Sequence, residues 1–299
     1  MKRRHSLALL AAACAAPAWA QMRSAPPRKV FRFGVTDVFI HDAIPLLPSY
    51  LETRLAIPVR IVEKASYQEA LEALRSDEME AAWICGYPYV VARHFVRLCA
   101  QPGWHGQPWY RSYLITSANR TEAHGLADLR GDVFAFDDPL SNSGYLVPVV
   151  ALRAMGQTPQ SFFRGSFYTY ALDKVVEAVG AGLADSGTVD GYIWEVLHRQ
   201  ADPAARKTRV VARSRHYGFP PIVTRRSLDL ELHARLQGIL LEAHANEQGR
   251  QLLDKLDLHS FLRPRKEWFE GIRELVEVLD GTRAPIPVSR IYEQGRGGG

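Results

Sequence analysis

Short apolar runs alternate with stretches in which apolar residues recur every three or four positions. The segment VFRFGVTDVF (30–39) predicts a first strand ending near Gly34-Val35-Thr36. AIPLLPSYLETRLAIP (43–58) predicts a helix interrupted by prolines, and VRIVEKA (59–65) a second strand. SYQEALEALRSDEMEAAWI (66–84) reads as a helix opened by Ser66 and a short strand at Ala81–Ile84. Strands alternating with helices predict a mainly parallel sheet covered on both faces, an α/β class.

The same order returns downstream. DVFAFDD (132–138) predicts a strand, GYLVPVVALRAMG (144–156) a helix closed by Gly156, and LDKVVEAVGAGLADSGTVD (172–190) a helix–turn–strand unit. At an offset of 105 residues, Glu72-Ala73-Leu74 falls on Glu177-Ala178-Val179 and Glu80-Ala81-Ala82 on Asp185-Ser186-Gly187. This partial repeat favours two similar α/β lobes over one long sheet. YRSYLIT (110–116) is expected to lead from lobe 1 into lobe 2, and YGFPPIVTRR (217–226) to lead back. The largely helical stretch 227–279 would complete lobe 1. The expected organisation is lobe 1 at 28–113 plus 220–290, lobe 2 at 114–219, and a flexible tail at 291–299. Two crossovers make a cleft and a hinge.

Charge and cysteines change the picture at the N-terminus. Lys2, Arg3 and Arg4 precede a short apolar segment, Leu7–Ala16, and Ala18-Trp19-Ala20 gives the small-x-small pattern of a secretory leader, cleaved after Ala20. Cys14 raises a lipid-anchor alternative, weakened by Ala11 where a lipobox usually has Leu. Cleavage removes three cations and no acid, taking the formal charge from +5 to +2, which speaks against a nucleic-acid partner. Export places the protein in the periplasm or beyond, and no later stretch reaches membrane length. Cys85 and Cys99 remain, as a disulfide or as two small buried residues.

Candidate chemistry concentrates in DDPLSNSG (137–144). Its strand ends near Phe136 and its helix starts between Ser143 and Tyr145, because Pro148 is tolerated only about one turn inside. Ser141, Asn142 and Ser143 can then aim hydroxyl, amide and backbone donors at one point beside the positive end of a helix. A plain N-cap needs one such residue; three with Gly144 point to an anion site. The histidines are scattered, and neither metal-ligand spacing, nor a G-x-S-x-G elbow, nor a phosphate-loop lysine occurs. No metal, no cofactor and no enzymatic activity are expected.

FDDPLSNSGYLVPVVALRAMG (136–156) resembles the D-P-x-S-x-S-G-x-x-x-P motif of the periplasmic phosphonate/phosphite/phosphate-type solute-binding proteins of ABC transporters. ASYQEALEAL, AAWICGYPYV, YRSYLIT, DKVVEAVGAGLADSGTVD and GFPPIVTRR are similar to successive family blocks in family order, over roughly residues 30–270. The resemblance implies a type II periplasmic-binding-protein fold that holds an oxyanion between its lobes and delivers it to a permease, as a monomer. It places Ser141, Asn142 and Ser143 on the oxyanion-binding positions. Tyr67 falls on a ligand-facing aromatic, and Tyr87 or Tyr89 on the aromatics after the third strand. Tyr113 competes between ligand and hinge roles. Asp190 falls where some relatives hold a ligand amino group, though N-capping GYIWEVL competes.

One departure matters. Many relatives carry Ser-His-acid ahead of the second-lobe helix, and here the sequence is Ala171-Leu172-Asp173. The imidazole donor is missing, with Tyr168, Thr169 and Tyr170 nearby as substitutes. Losing such a donor costs about 1.5–3 kcal/mol against a buried dianion. A larger or less charged ligand, for transport or sensing, is therefore the alternative.

Overall fold

The computed structural model describes residues 30–36 and 45–293; the expected leader and Cys14 lie outside that range. Strand β1 (Phe31–Val35) is followed by α1 (Leu46–Leu55), β2 (Val59–Glu63), α2 (Tyr67–Arg75), β3 (Ala81–Trp83), α3 (Gly86–Ala92) and β4 (Val96–Gly103). Helix α2 is capped as its sequence predicts. The Ser66 side chain accepts from the Glu69 N–H, and the Glu69 carboxylate accepts from the Ala65 N–H at 3.0 Å.

Strand β5 (Trp109–Tyr110) carries the chain across to β6 (Ser112–Ser117) and β7 (Val133–Phe136). Next come α4 (Val147–Ala154), α5 (Pro159–Phe162), β8 (Gly165–Tyr168), α6 (Leu172–Gly180), β9 (Ser186–Asp190), α7 (Gly191–Arg199) and β10 (Thr208–Ser214). The chain returns through β11 (Tyr217–Gly218) and β12 (Ile222–Arg225) to α8 (Leu230–Leu241), α9 (Glu247–Lys255), β13 (Ser260–Leu262) and α10 (Glu270–Leu279). It ends in α11 (Val288–Ile291) and β14 (Tyr292–Glu293).

The strands form two six-stranded sheets, ordered β2-β1-β3-β12-β4-β13 and β8-β7-β9-β6-β10-β14, plus the two-stranded β5-β11 ribbon between them. Each sheet is mixed rather than mainly parallel. Its first three strands run parallel, and the fourth enters antiparallel from the crossover. The reason is topological: a strand arriving from the other lobe needs no covering helix, so nothing holds it to the βαβ direction.

The 105-residue offset holds to the residue. Helix α2 starts at Tyr67 and α6 at Leu172, β3 at Ala81 and β9 at Ser186, α3 at Gly86 and α7 at Gly191. Both units aim strand C-termini and helix N-termini at the same gap.

Three expected boundaries differ. Ser112 and Tyr113 belong to the second sheet, where they pair with Asp190 and Val189. The stretch read as helical contains β13, which extends the first sheet beside β4. Of the expected tail at 291–299, Ile291 and Tyr292 are buried, and Ser214 and Arg213 pair with Tyr292 and Glu293. The chain thus passes between the sheets three times, not twice, and residues 294–299 lie outside the described range.

One buried ion cluster ties β1, β3 and β12 together. Glu80 accepts from the Arg32 backbone N–H at 2.7 Å and from the Arg32 Nη2 at 2.7 Å, with Arg225 Nη2 at 3.6 Å. Burial alone would raise its carboxyl, but the Arg32 hydrogen bonds and the two arginine charges hold it below the ordinary glutamate value. Glu80→Gln is expected to lower unfolding free energy by roughly 2 kcal/mol at neutral pH. Because the folded-state value is depressed, that stabilisation is complete above the unfolded glutamate value and fades as pH falls through the folded one. Urea unfolding of both proteins between neutral and acidic pH checks this: their stability gap should narrow below about pH 4.3. A gap constant with pH would contradict it.

Candidate functional site

The serine-rich turn is built by what Pro148 lacks. In a regular α-helix the residue-148 N–H would bond the Gly144 carbonyl, but proline has none. The Gly144 carbonyl instead accepts from the Asp137 N–H at 3.1 Å. Residues Asn142–Leu146 form a π-type turn, with the Val147 N–H on the Asn142 carbonyl and the Leu146 N–H on the Ser141 carbonyl. That register frees the Ser143 carbonyl, which accepts from the Ser112 and Thr188 hydroxyls, both at 2.7 Å. The turn is thereby fastened to β6 and β9.

The sequence had suggested one common set of three donor side chains, but those of Ser141 and Asn142 are engaged in the fold. Ser141 Oγ acts as an acceptor, capping the turn through the Gly144 N–H at 3.0 Å. The Asn142 N–H donates across the interlobe gap to Cys85 Sγ at 3.3 Å, and its Nδ2 to the Tyr110 hydroxyl at 2.8 Å. Asn142 Oδ1 and Ser143 Oγ are buried with no hydrogen-bond partner among the described residues. All three side chains are fully buried. A second contact joins the lobes beside them: the Tyr67 N–H donates to Asp138 Oδ2 at 3.0 Å. Burial raises the Asp138 carboxyl, against the lowering pull of the Leu140 and Tyr67 amides.

Between the lobes lies a cavity of about 70 Å³. Its walls come from Val35, Thr36, Tyr67, Trp83 and Ile84 on one side and Leu172, Asp190, Tyr192 and Ile193 on the other, with Phe219-Pro220 closing it. Of the sequence-predicted residues, Tyr67 and Asp190 reach this wall. Leu172, the departure from the family motif, is there too. Asp190 also caps α7 by accepting from the Tyr192 N–H at 2.8 Å, the structural role that its sequence position offered. Ser141, Asn142 and Ser143 stand beside the cavity rather than in its wall, one residue away through the Asn142–Cys85 contact.

The other tyrosines go elsewhere. Tyr89 packs edge-on against Phe269, ring centroids 4.6 Å apart, on the far face of α3. Tyr113 donates to Glu195 Oε1 at 3.0 Å and lies under Arg213, which fixes α7 to β6. Tyr170 is exposed, in left-handed backbone with φ 57°, its ring against Tyr168. Tyr87 is buried in α3 and stays out of the cavity wall; burial, then the charges of Asp280 and Tyr145, raises its hydroxyl.

Trp83, Tyr192, Phe219 and Pro220 were not foreseen. The repeat was the available signal: at the same offset Tyr67 meets Leu172, Cys85 meets Asp190, and Tyr87 meets Tyr192. Closure over the cavity is secured by the Tyr192 hydroxyl on the Leu256 carbonyl and by the Arg199–Asp257 ion pair. Cys85 and Cys99 are separate buried thiols, raised by burial to about 11 and about 12. Among the described residues no cluster of histidine, cysteine or acid side chains could hold a metal ion, and no helix is long and apolar enough to cross a membrane.

Two α/β lobes of this strand order, joined at short crossovers with a cavity between them, define a type II periplasmic-binding-protein fold. The chain belongs to the family of periplasmic substrate-binding proteins of phosphonate ABC transporters, whose model matches residues 40–269. It is 28% identical over 171 residues to the phosphate-import protein PhnD of Mycolicibacterium smegmatis, a match covering 51% of this chain and 53% of that protein. The alignment thus spans about half the length of that relative. Similar solved structures include a binding-protein component of an ABC phosphonate transporter from Pseudomonas aeruginosa. Its TM-score is 0.79 at 22% identity, over 85% of this chain and 88% of that one. PhnD1 of Prochlorococcus marinus in complex with methylphosphonate has a TM-score of 0.76 at 19% identity, over 84% and 98%.

Gly144 is required by close approach rather than by its φ. A Cβ there would stand 2.3 Å from Asp137 Cβ and 2.9 Å from Ser141 Oγ. Gly144→Ala is expected to cost about 1–3 kcal/mol, whereas Gly125→Ala, in extended backbone with no atom within 4 Å, should change little. Thermal unfolding of both variants checks the contrast, and equal stabilities would show that the turn is not tightly packed.

Proposed function

We propose that this protein is a periplasmic solute-binding component of an ABC importer, and that its cleft closes on a small organophosphonate. The observation that carries the reading is the buried turn at Asn142–Ser143. Its amide donates to a thiol, a weak acceptor, and its serine hydroxyl has no protein partner among the described residues. An anionic oxygen entering beside Cys85 would replace that thiol as acceptor from Asn142 and take the Ser143 hydroxyl, exchanging a weak hydrogen bond for charge-assisted ones.

The cavity supports an organic substituent on the anion. Trp83, Ile84, Leu172 and Phe219 offer apolar contact, which a bare phosphate cannot use, and Asp190 faces the same space where an amino group on the substituent would be favourable. Leu172 fits this reading: it trades a donor to the head group for apolar contact with the tail. Export follows from the leader pattern ending at Ala20, and the permease partner from family membership. The protein acts by capture and closure, not by catalysis.

Trp83 provides the readout, because its indole lines the cavity while its Nε1 donates to the Pro220 carbonyl at 3.0 Å. Tryptophan fluorescence of the leaderless protein should respond to methylphosphonate and 2-aminoethylphosphonate at lower concentration than to phosphate or sulfate. Ser143→Ala should weaken binding by about one to two decades, as expected for one hydrogen bond to a charged group. A flat response to every phosphonate, or unchanged affinity in Ser143→Ala, would refute the assignment.

A further inference from the structure

A concavity of about 930 Å³, far larger than the interlobe cavity, opens on the first lobe. It lies between the C-terminal end of α3, the start of β4 and the segment joining β13 to α10. Ile222 of β12 pairs opposite Trp83 at the cleft, whereas Thr224 pairs opposite Ala81. Arg226, just past the strand, therefore sits at the end of the sheet away from the cleft.

Six cations line it: Arg93, Arg97, Arg226, Arg263, Lys266 and Arg273. Glu270 is the one carboxylate among the described lining residues, and it is already bound to Arg273 Nε at 2.8 Å. The patch alone carries more positive charge than the +2 of the whole leaderless chain.

Neutral groups hold three of the guanidinium groups in place. Arg226 Nη2 donates to the Arg93 carbonyl at 3.1 Å, Arg263 Nη1 to Gln237 Oε1 at 2.6 Å, and Arg97 Nη2 to the Arg226 carbonyl at 3.4 Å. Arg97 Nη1 is buried with no partner among the described residues. Its uncompensated charge is felt nearby: His233 is pushed below the ordinary histidine value by burial and then by Arg97. Neutral acceptors fix a guanidinium without cancelling its charge.

We infer that this concavity is a second binding site, for a small anion bearing clustered phosphates. A single oxyanion satisfies two or three donors. Arg273 is taken up by Glu270 and Glu277, and the five remaining cations in one hollow call for several linked charges, while the concave shape suits a compact polyanion over a flat surface. A free polyphosphate and a phosphorylated lipid head group present the same chemistry, and the experiment separates them.

Leaderless protein is titrated calorimetrically with inorganic tripolyphosphate at low ionic strength, and sedimented with vesicles of cardiolipin, whose head group links two phosphates, in phosphatidylcholine. The comparison variants are Arg93→Gln with Lys266→Gln, both exposed and with no side-chain hydrogen bond among the described residues, and Ser143→Ala in the cleft. The expected result is one tripolyphosphate per chain, weakened about tenfold or more in the double variant, lost steeply with added salt, and unchanged in Ser143→Ala. Tripolyphosphate binding without vesicle retention assigns a free anion. Vesicle retention that tripolyphosphate displaces and the double variant abolishes assigns a head group. The site is refuted if neither probe binds, or if binding persists in the double variant, or if Ser143→Ala removes it.

Discussion

The absence of one amide hydrogen sets the geometry at the centre of this protein. Pro148 leaves the Gly144 carbonyl without its helical partner, the turn relaxes into π register, and two carbonyls become free to bind elsewhere. Ser143 spends its carbonyl on β6 and β9, and Gly144 spends its own on Asp137. With an amide at position 148, a regular helix would have satisfied both internally and left the turn unattached to the sheet. Attachment fixes where Asn142 points, and Asn142 is what touches the other lobe and the crossover ribbon at once.

Around that contact the two lobes are near copies in their first units and differ where they face the cavity. Helices α2 and α6 begin at equivalent positions, one with Tyr67 and the other with Leu172; α3 and α7 are capped by Cys85 and Asp190. One framework thus presents an aromatic, Tyr67, from one side and an aliphatic and a carboxylate, Leu172 and Asp190, from the other, while the Cys85 thiol turns to Asn142. Such asymmetry suits a ligand with unlike ends, and it arises without change of backbone.

Much of the fold could be read from the residues because periodicity, caps and the repeat agree. Ser66 opens α2, Gly156 follows α4 in left-handed backbone, and the strand–helix alternation yields two lobes. What escaped depends on non-local pairing. β13 and β14 are only 3 and 2 residues long and gain their partners from strands far away in sequence. The site was half visible. Of the residues that the family pattern offered, Tyr67 and Asp190 reach the cavity wall, whereas Tyr89 and Tyr113 share the residue type and point away from it. A tyrosine's direction is set by packing against Phe269 or Glu195, which no local motif records. The π register was equally hidden, since Pro148 announces a helix start without saying which carbonyls it will release.

The most direct test is a crystal structure of the leaderless protein grown with an alkylphosphonate. The account predicts an anionic oxygen within about 3 Å of the Asn142 amide and the Ser143 hydroxyl, with Cys85 displaced from the amide and the alkyl group resting between Trp83 and Leu172. An alkylphosphonate bound elsewhere in the cleft, with the Asn142–Cys85 contact intact, would contradict it.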